Sequence, residues 1–247
     1  MVELTQSLGS AAKSAGFRVD RFGEIEGVPL LALTRAPAQP GPRIYISAGI
    51  HGDEPAPTLA LLRLLGGCAF DDRVEWYLCP LLNPAGLARG TRENAAGIDL
   101  NRDYRHPRSE EVRAHVSWLL GQPLFDLALL IHEDWESKGF YLYELNPNGL
   151  PSLAEPIVAA VAALCPIDRS PVIDGREAAG GIIRPPADPS IREIWPESIY
   201  LRAKGARLGY TLETPSSLPL ESRIAAHCVA IGTAVGLTAR ERSPRGP

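Results

Sequence analysis

The sequence has few cysteines, and their spacing excludes the common cysteine-based sites. Four are present, Cys68, Cys79, Cys165 and Cys228, and no two of them form a C-x-x-C pair. Scattered cysteines beside apolar residues are typical of buried free thiols in a reducing compartment, rather than of disulfides or a metal cluster. The pattern therefore predicts free thiols.

Charge and hydropathy give no sign of a nucleic-acid-binding, membrane-spanning or secreted protein. The formal net charge of −4 gives no reason to expect nucleic acid or an anionic membrane as a partner. No apolar run is long enough to span a bilayer, and residues 1–6 lack the basic and apolar regions of a secretory signal. We expect a cytoplasmic protein, without nucleic-acid or membrane partners, in which residues 1–247 form a single domain.

The strongest local signal lies in residues 44–55. Residues 44–47 are apolar and partly β-branched, which predicts a buried strand, and Pro55 is suited to the first turn of a following helix. His51 and Glu54 therefore lie on a strand-to-helix turn. In open α/β sheets, ligands bind beyond the carboxyl ends of the strands.

Two later strands end in a similar way. The apolar residues 124–131 run into His132, and residues 208–212 run into Glu213. Two histidines and a glutamate are a common ligand set for catalytic zinc, which keeps a further position for water. His-x-x-Glu alone is a weak signal, and taken by itself it favours a turn histidine and a capping glutamate. One polar side chain at the end of a strand is ordinary. Three strands that each end in a histidine or a glutamate are better explained by a shared functional site.

The remaining elements alternate between strands and helices. This order predicts an α/β three-layer sandwich around a mixed, mostly parallel sheet. Residues 83–104 are rich in glycine, arginine and asparagine and predict a long functional loop. Ser109 is expected to cap a helix, in which His115 is an ordinary residue rather than a ligand. Residues 166–196 predict an irregular surface segment.

These residues resemble the M14 zinc carboxypeptidases. The resemblance is carried by residues 51–54, by Arg92, by residues 97–102, by His132 and by residues 210–213, in the order of the family. It implies an eight-stranded sheet of the zinc-carboxypeptidase type and one Zn²⁺ per chain. The compact chain and residues 132–137 look closest to bacterial members similar to the murein peptide amidases.

Each functional position follows from this resemblance. It implies that His51, Glu54 and His132 bind the metal and that Glu213 is the general base. Arg92 would act on the scissile carbonyl, and Asp99 would orient His51. Asn101 and Arg102 would bind the substrate carboxylate, and an arginine with an adjacent asparagine suits that role chemically. The substrate-capping tyrosine of the family has no secure match; Tyr200 is the nearest candidate and Trp195 another.

Three functions remain open. The sequence favours a metallocarboxypeptidase or amidase that hydrolyses an amide bond next to a free carboxylate in a small peptide. The main alternative is an N-acyl amino acid deacylase of the succinylglutamate desuccinylase/aspartoacylase type. Those relatives continue into a β-rich region, whereas only 34 residues follow Glu213 here. A non-catalytic zinc-binding module is the third possibility. Acidic residues 133, 134 and 136 would favour a basic substrate group or form a solvated cluster.

Overall fold

The computed structural model describes residues 1–67 and 70–241. The helices are α1 Val2–Ser14, α2 Pro55–Gly66, α3 Pro84–Arg89, α4 Glu110–Leu120, α5 Ala154–Val161, α6 Glu197–Ala203 and α7 Leu220–Glu241. The strands are β1 Arg18–Ile25, β2 Val28–Arg35, β3 Arg43–Ser47, β4 Glu75–Cys79, β5 Leu127–Asp134, β6 Tyr141–Leu145, β7 Val172–Ile173, β8 Arg176–Ala179, β9 Ile182–Ile183 and β10 Gly209–Pro215.

All strands join one mixed sheet in the order β1-β2-β4-β3-β5-β10-β6-β9-β8-β7. The four central strands β4, β3, β5 and β10 are parallel, and most of the outer pairs are antiparallel. The mixed α/β sheet is therefore confirmed, but it has ten strands rather than eight and is parallel mainly at its centre. The strands that carry the predicted site, β3, β5 and β10, are neighbours.

Helices cover both faces of the sheet, which confirms the three-layer architecture. On one face, α1, α2, α5 and α7 pack together over a core that includes Leu8, Leu61, Ile157 and Ala230. On the other face, α4 and α6 contribute to a second core cluster, which they enter with residues such as Leu119 and Leu201. Burial of these apolar stripes is the main force that holds the layers together.

The start of α4 agrees with its sequence. The Ser109 hydroxyl accepts a hydrogen bond from the Val112 amide at 3.2 Å, as expected of an N-cap. His115 is buried between the hydroxyls of Tyr45 and Tyr104, at 2.9 and 2.7 Å. Its expected role as an ordinary helix residue is consistent with these contacts.

Three local expectations were wrong. The segment 83–104 contains helix α3, which Asn83 caps by accepting from the Gly86 amide at 2.8 Å. The segment 166–196 contributes β7, β8 and β9 to the sheet, because its short strands pair with each other and with β6. His132 lies within β5 and Glu213 within β10, rather than after these strands, since their pairing continues as far as Asp134 and Pro215.

Helix α7 corrects the expectation that no segment could span a bilayer. Judged by length and composition alone, the helix formed by residues 220–240 is long and apolar enough to cross a membrane. The helix packs against α2 and α5, and its His227 is buried with Nε2 3.0 Å from the Thr214 hydroxyl. It is part of the core of this fold.

The described cysteines Cys79, Cys165 and Cys228 are free thiols, as predicted. Cys68 lies outside the described residues.

Candidate active site

His51, Glu54 and His132 converge at the carboxyl ends of β3 and β5. Their potential ligand atoms all lie within 4.8 Å of one another, and all three side chains are buried. The Nδ1 atom of His51 is 2.6 Å from one oxygen of Glu54, and the Nδ1 atom of His132 is 3.0 Å from the other. Two imidazole nitrogens and a carboxylate in this arrangement fit a metal ion of the zinc type.

Glycines allow the turn that carries His51. Gly49 has a φ of 64°, which favours glycine. Gly52 packs directly on the backbone of Gly86 and Leu87, so a Cβ at this position would collide with it. The turn is thus pressed against α3, and this contact fixes where His51 and Glu54 can lie.

The Asp99 carboxylate contacts three groups of the site: the His51 ring, the Arg92 guanidinium and the Asn101 backbone amide. One oxygen lies 3.2 Å from His51 Nε2 and accepts a hydrogen bond from the Asn101 amide at 2.9 Å. The other accepts from Arg92 Nε at 3.0 Å. Burial alone would raise the pKa of Asp99, but His51 and the positive charges of Arg92 and Arg102 hold this pKa well below its ordinary value. A carboxylate on the far nitrogen of a metal-binding histidine fixes its tautomer and orientation.

The other predicted polar residues face the same space. Arg92 Nη1 is 3.6 Å from Glu54 Oε1, so its guanidinium borders the histidine–glutamate group. Asn101 accepts a hydrogen bond from the Glu197 amide through Oδ1 at 2.9 Å, which leaves its amide nitrogen as a donor. One cavity of about 890 Å³ is lined by Arg92, Asn101 and Arg102. The side chain of Arg102 is exposed.

Glu213 lines this cavity beside the metal-type ligands. It lies in register with His132 on the neighbouring parallel strand, and with Tyr141 on the other side. Within residues 1–67 and 70–241, no group donates a hydrogen bond to its carboxylate. Burial, which the nearby His132 only partly offsets, raises the pKa of Glu213 to about 8. Such a carboxyl group is suited to accepting and returning a proton.

Tyr200 is not brought into the cavity. Its ring packs 5.6 Å from that of Tyr104 on the inner side of α6, and it is absent from the cavity lining, as is Trp195. The tyrosines that line the cavity are Tyr141 and Tyr143 of β6. Their alternation along a strand was visible in the sequence, but the position of β6 next to β10 was not.

Glu197 is a second group that the sequence analysis missed. Its buried carboxylate accepts hydrogen bonds from the hydroxyls of Tyr45 at 2.7 Å and Ser47 at 2.8 Å. Burial raises the pKa of Glu197 to about 6. Through its backbone amide it also holds Asn101 in place.

The acidic residues after His132 have partners within the protein. Glu133 is buried, forms an ion pair with Arg223 and accepts from the Ala56 amide at the start of α2. Asp134 accepts from the Tyr141 hydroxyl at 2.9 Å. Both carboxylates therefore stabilise the site, and neither is positioned as a free counter-charge for a basic substrate.

Comparison with known proteins agrees with this geometry. Residues 40–135 match the succinylglutamate desuccinylase/aspartoacylase catalytic domain. Carboxypeptidase SOL1 of Arabidopsis thaliana is 31% identical in an alignment of 121 residues that covers 40% of this chain and 22% of that relative. A protein of Shewanella amazonensis SB2B, provisionally named a metallopeptidase, superposes with a TM-score of 0.84 at 28% identity, over 96% of this chain and 92% of that one.

The chain has the metallo-carboxypeptidase type of fold. A metallo-carboxypeptidase from Burkholderia cenocepacia shares this fold, with a TM-score of 0.68 at 22% identity. That superposition covers 96% of this chain and 68% of the other. The match spans only about a fifth of the length of Carboxypeptidase SOL1, the curated relative, so the substrates of that protein are not assigned to this chain.

Proposed function

We propose that the protein is a zinc-dependent hydrolase that cleaves an amide bond next to a free carboxylate. One zinc ion per chain would be held by His51, Glu54 and His132. The observation that carries the proposal is the convergence of these three buried side chains, with Glu213 in register beside His132. A zinc ion bound there would acidify a coordinated water molecule and polarise the scissile carbonyl.

The protein's own residues supply the remaining chemistry. Glu213 would accept a proton from the attacking water and return it to the leaving nitrogen. Arg92, which borders Glu54 and is oriented by Asp99, would donate to the oxygen on which negative charge develops. These roles need no rearrangement of the chain, because both side chains already line the cavity.

Asn101 and Arg102 would bind the free carboxylate of the substrate. The oxygen of Asn101 accepts from the Glu197 amide, so the NH2 group of Asn101 is the part left to donate to a substrate carboxylate. Arg102 can offer two parallel N–H groups to a carboxylate, whereas lysine offers a single point charge.

Replacing Arg102 with lysine tests this role. We expect Arg102→Lys to lower kcat/KM at least tenfold on free-acid substrates, because the paired charge-assisted hydrogen bonds are lost. The corresponding C-terminal amides should be affected much less. The measurement is kcat/KM for matched acid and amide substrates. Equal losses on both would show that Arg102 acts elsewhere.

Two substrate classes are compatible with this chemistry. The superposed metallopeptidase and metallo-carboxypeptidase folds support a peptide substrate. The match of residues 40–135 to the succinylglutamate desuccinylase/aspartoacylase catalytic domain supports an N-acyl amino acid. In both cases the scissile amide is adjacent to a free carboxylate, so the residue roles are the same.

A substrate screen separates the two classes. Purified zinc-loaded protein is incubated with N-blocked dipeptides, γ-D-glutamyl-diaminopimelate peptides and N-acyl amino acids, and amine release is measured. Glu213→Gln protein from the same purification reports any contaminating hydrolase. Zinc-dependent turnover of one class, absent from the variant, would support the proposal and identify the class. No turnover of any amide by fully loaded protein would contradict it.

A further inference from the structure

Helix α7 contacts β5 and β10 directly beside the candidate metal site. His132 and Glu213, which line the cavity, lie in register on these two strands, and the next pair in register is Glu133 and Thr214. Successive side chains of a strand point to opposite faces of a sheet. The side chains of Glu133 and Thr214 accordingly contact α7, which packs on the face of the sheet away from α4 and α6.

Two side chains of α7 hold this second pair. Arg223 forms an ion pair with Glu133, and Nε2 of His227 lies 3.0 Å from the Thr214 hydroxyl. Positions four residues apart lie on the same face of a helix. The Glu133 and His227 side chains are fully buried, and that of Arg223 is 13% exposed. One polar stripe of α7 therefore fixes the ends of β5 and β10 relative to each other.

Glu133 also connects α7 to the metal-type ligand Glu54. Its carboxylate accepts a hydrogen bond at 2.5 Å from the amide of Ala56, which lies two residues after Glu54 at the start of α2. Its own amide donates at 3.1 Å to a Glu54 oxygen, the same oxygen that lies 3.0 Å from His132 Nδ1. Glu133 thus supports the position of Glu54 through both its backbone and its side chain.

This support depends on a balanced charge. In the described part of the chain, Arg223 is the cation that forms an ion pair with Glu133. Removing one partner of a buried ion pair is strongly unfavourable, because the other charge is left without compensation. Without Arg223, the Glu133 carboxylate would be drawn towards water and away from the Ala56 amide. The start of α2, and Glu54 with it, would then lose a fixed point of attachment to β5.

A second ion pair joins the same two helices without reaching a ligand. Arg63 Nη2 of α2 lies 2.6 Å from Glu221 Oε1 of α7, and these side chains are 43% and 75% exposed. Exposed ion pairs contribute little to stability. The Arg63–Glu221 pair therefore provides a control for any general effect of α7 on α2.

We propose that Arg223 is a positioning residue of the metal centre, which acts through Glu133 to hold Glu54 and His132 at the separation that a zinc ion requires. Docking of α7 and binding of the metal then favour each other, because the coupling between two sites is reciprocal. This assignment deepens the proposed function and rests on it for the metal centre. It concerns metal affinity rather than the chemical step.

Zinc affinity, measured by competition with a chromophoric chelator, tests this role. Arg223→Gln should bind zinc about tenfold or more weakly than the wild-type protein, which is the size of effect expected when the groups that orient metal ligands are lost. Arg223→Lys should recover most of the affinity, since it keeps the positive charge. Arg63→Gln is the matched control on the same pair of helices and should bind zinc as the wild type does.

A double variant separates positioning from a general loss of stability. Glu133→Gln/Arg223→Gln leaves no buried charge unpaired, and the new side chain at position 133 can still accept from the Ala56 amide. We expect it to bind zinc more tightly than Arg223→Gln alone, since residues in contact have non-additive effects. The melting temperature of each metal-free variant is measured as well. A purely structural role of Arg223 predicts a lower melting temperature with unchanged zinc affinity of the folded protein.

Hydrogen exchange gives a second readout that needs no enzymatic activity. Zinc should slow amide exchange at residues 220–228 of α7 more than in α4, which lies on the other face of the sheet. This excess protection should be lost in Arg223→Gln and kept in Arg63→Gln.

The outcomes distinguish this inference from the proposed function. Zinc affinity of Arg223→Gln equal to or above that of the wild type would overturn the positioning role, since the arginine would then act on the metal at most by repulsion of like charges. The metal centre itself would stand. A wild-type protein that binds no zinc would reject both. Zinc affinity that depends on Arg223, together with no amide hydrolysis, would keep the positioning role and reject the proposed reaction.

Discussion

Glu213→Gln is expected to lower kcat by about 10²–10⁴-fold while metal content stays unchanged. Glutamine keeps the shape of the side chain but cannot accept a proton from water. The residue lies in register with His132 on the adjacent strand, yet it is not one of the three converging ligands. The loss should therefore appear in the chemical step rather than in metal affinity. The measurement is kcat, zinc content and melting temperature on one preparation.

Each other role for Glu213 predicts a different combination of these values. A fourth metal ligand would lose zinc on substitution, and a purely structural residue would lose stability while activity per folded molecule is kept. Glu136→Gln removes an exposed carboxylate from the same cavity and should leave all three values near those of the wild type. Near-normal kcat with full zinc occupancy in Glu213→Gln would remove this residue from the mechanism.

His132→Ala is expected to abolish stoichiometric zinc binding and, with it, amide hydrolysis. The change leaves only His51 and Glu54 of the converging group, whereas catalytic zinc generally has three protein ligands. Zinc should also cease to raise the melting temperature, because a ligand that binds only the folded state stabilises it in proportion to its affinity.

The matched control is His106→Ala, which removes an exposed histidine far from β5 in sequence and absent from the cavity lining. Metal per chain is measured by elemental analysis after dialysis, and melting is followed with and without added zinc. Undiminished zinc in His132→Ala would show that the metal, if bound, is held by other residues.

Much of the site could be predicted because its signals are local. The strand-to-helix turn with His51 and Glu54 is encoded by an apolar run, glycines and a proline in adjacent positions. The strands that lead to His132 and Glu213 are similarly apolar, so their ends could be located to within a few residues. The roles of Arg92, Asp99, Asn101 and Arg102 came from family resemblance. The structure brings the two arginines and Asn101 to the cavity lining, and it places Asp99 in contact with His51 and Arg92.

What could not be predicted depends on long-range pairing. Strands β7 to β9 have two to four residues each, too short to show a periodic pattern, and they form because β6 provides an edge on which they pair. Tyr200 was chosen for its position in sequence, but α6 turns its ring towards Tyr104. Helix rotation of this kind is set by packing.

The central place of β10 in the sheet has a consequence for the order in which the chain is made. Two of the three metal-type ligands lie on the turn between β3 and α2 and the third lies on β5, and β3 pairs with β5 directly. Strand β10 is synthesised after all the other strands, but it lies between β5 and β6. A nascent chain can thus bring its metal ligands together before the ribosome has delivered Glu213. Such a chain would carry a metal site without a proton acceptor, and hydrolytic capacity would begin only when β10 inserts between its two neighbours.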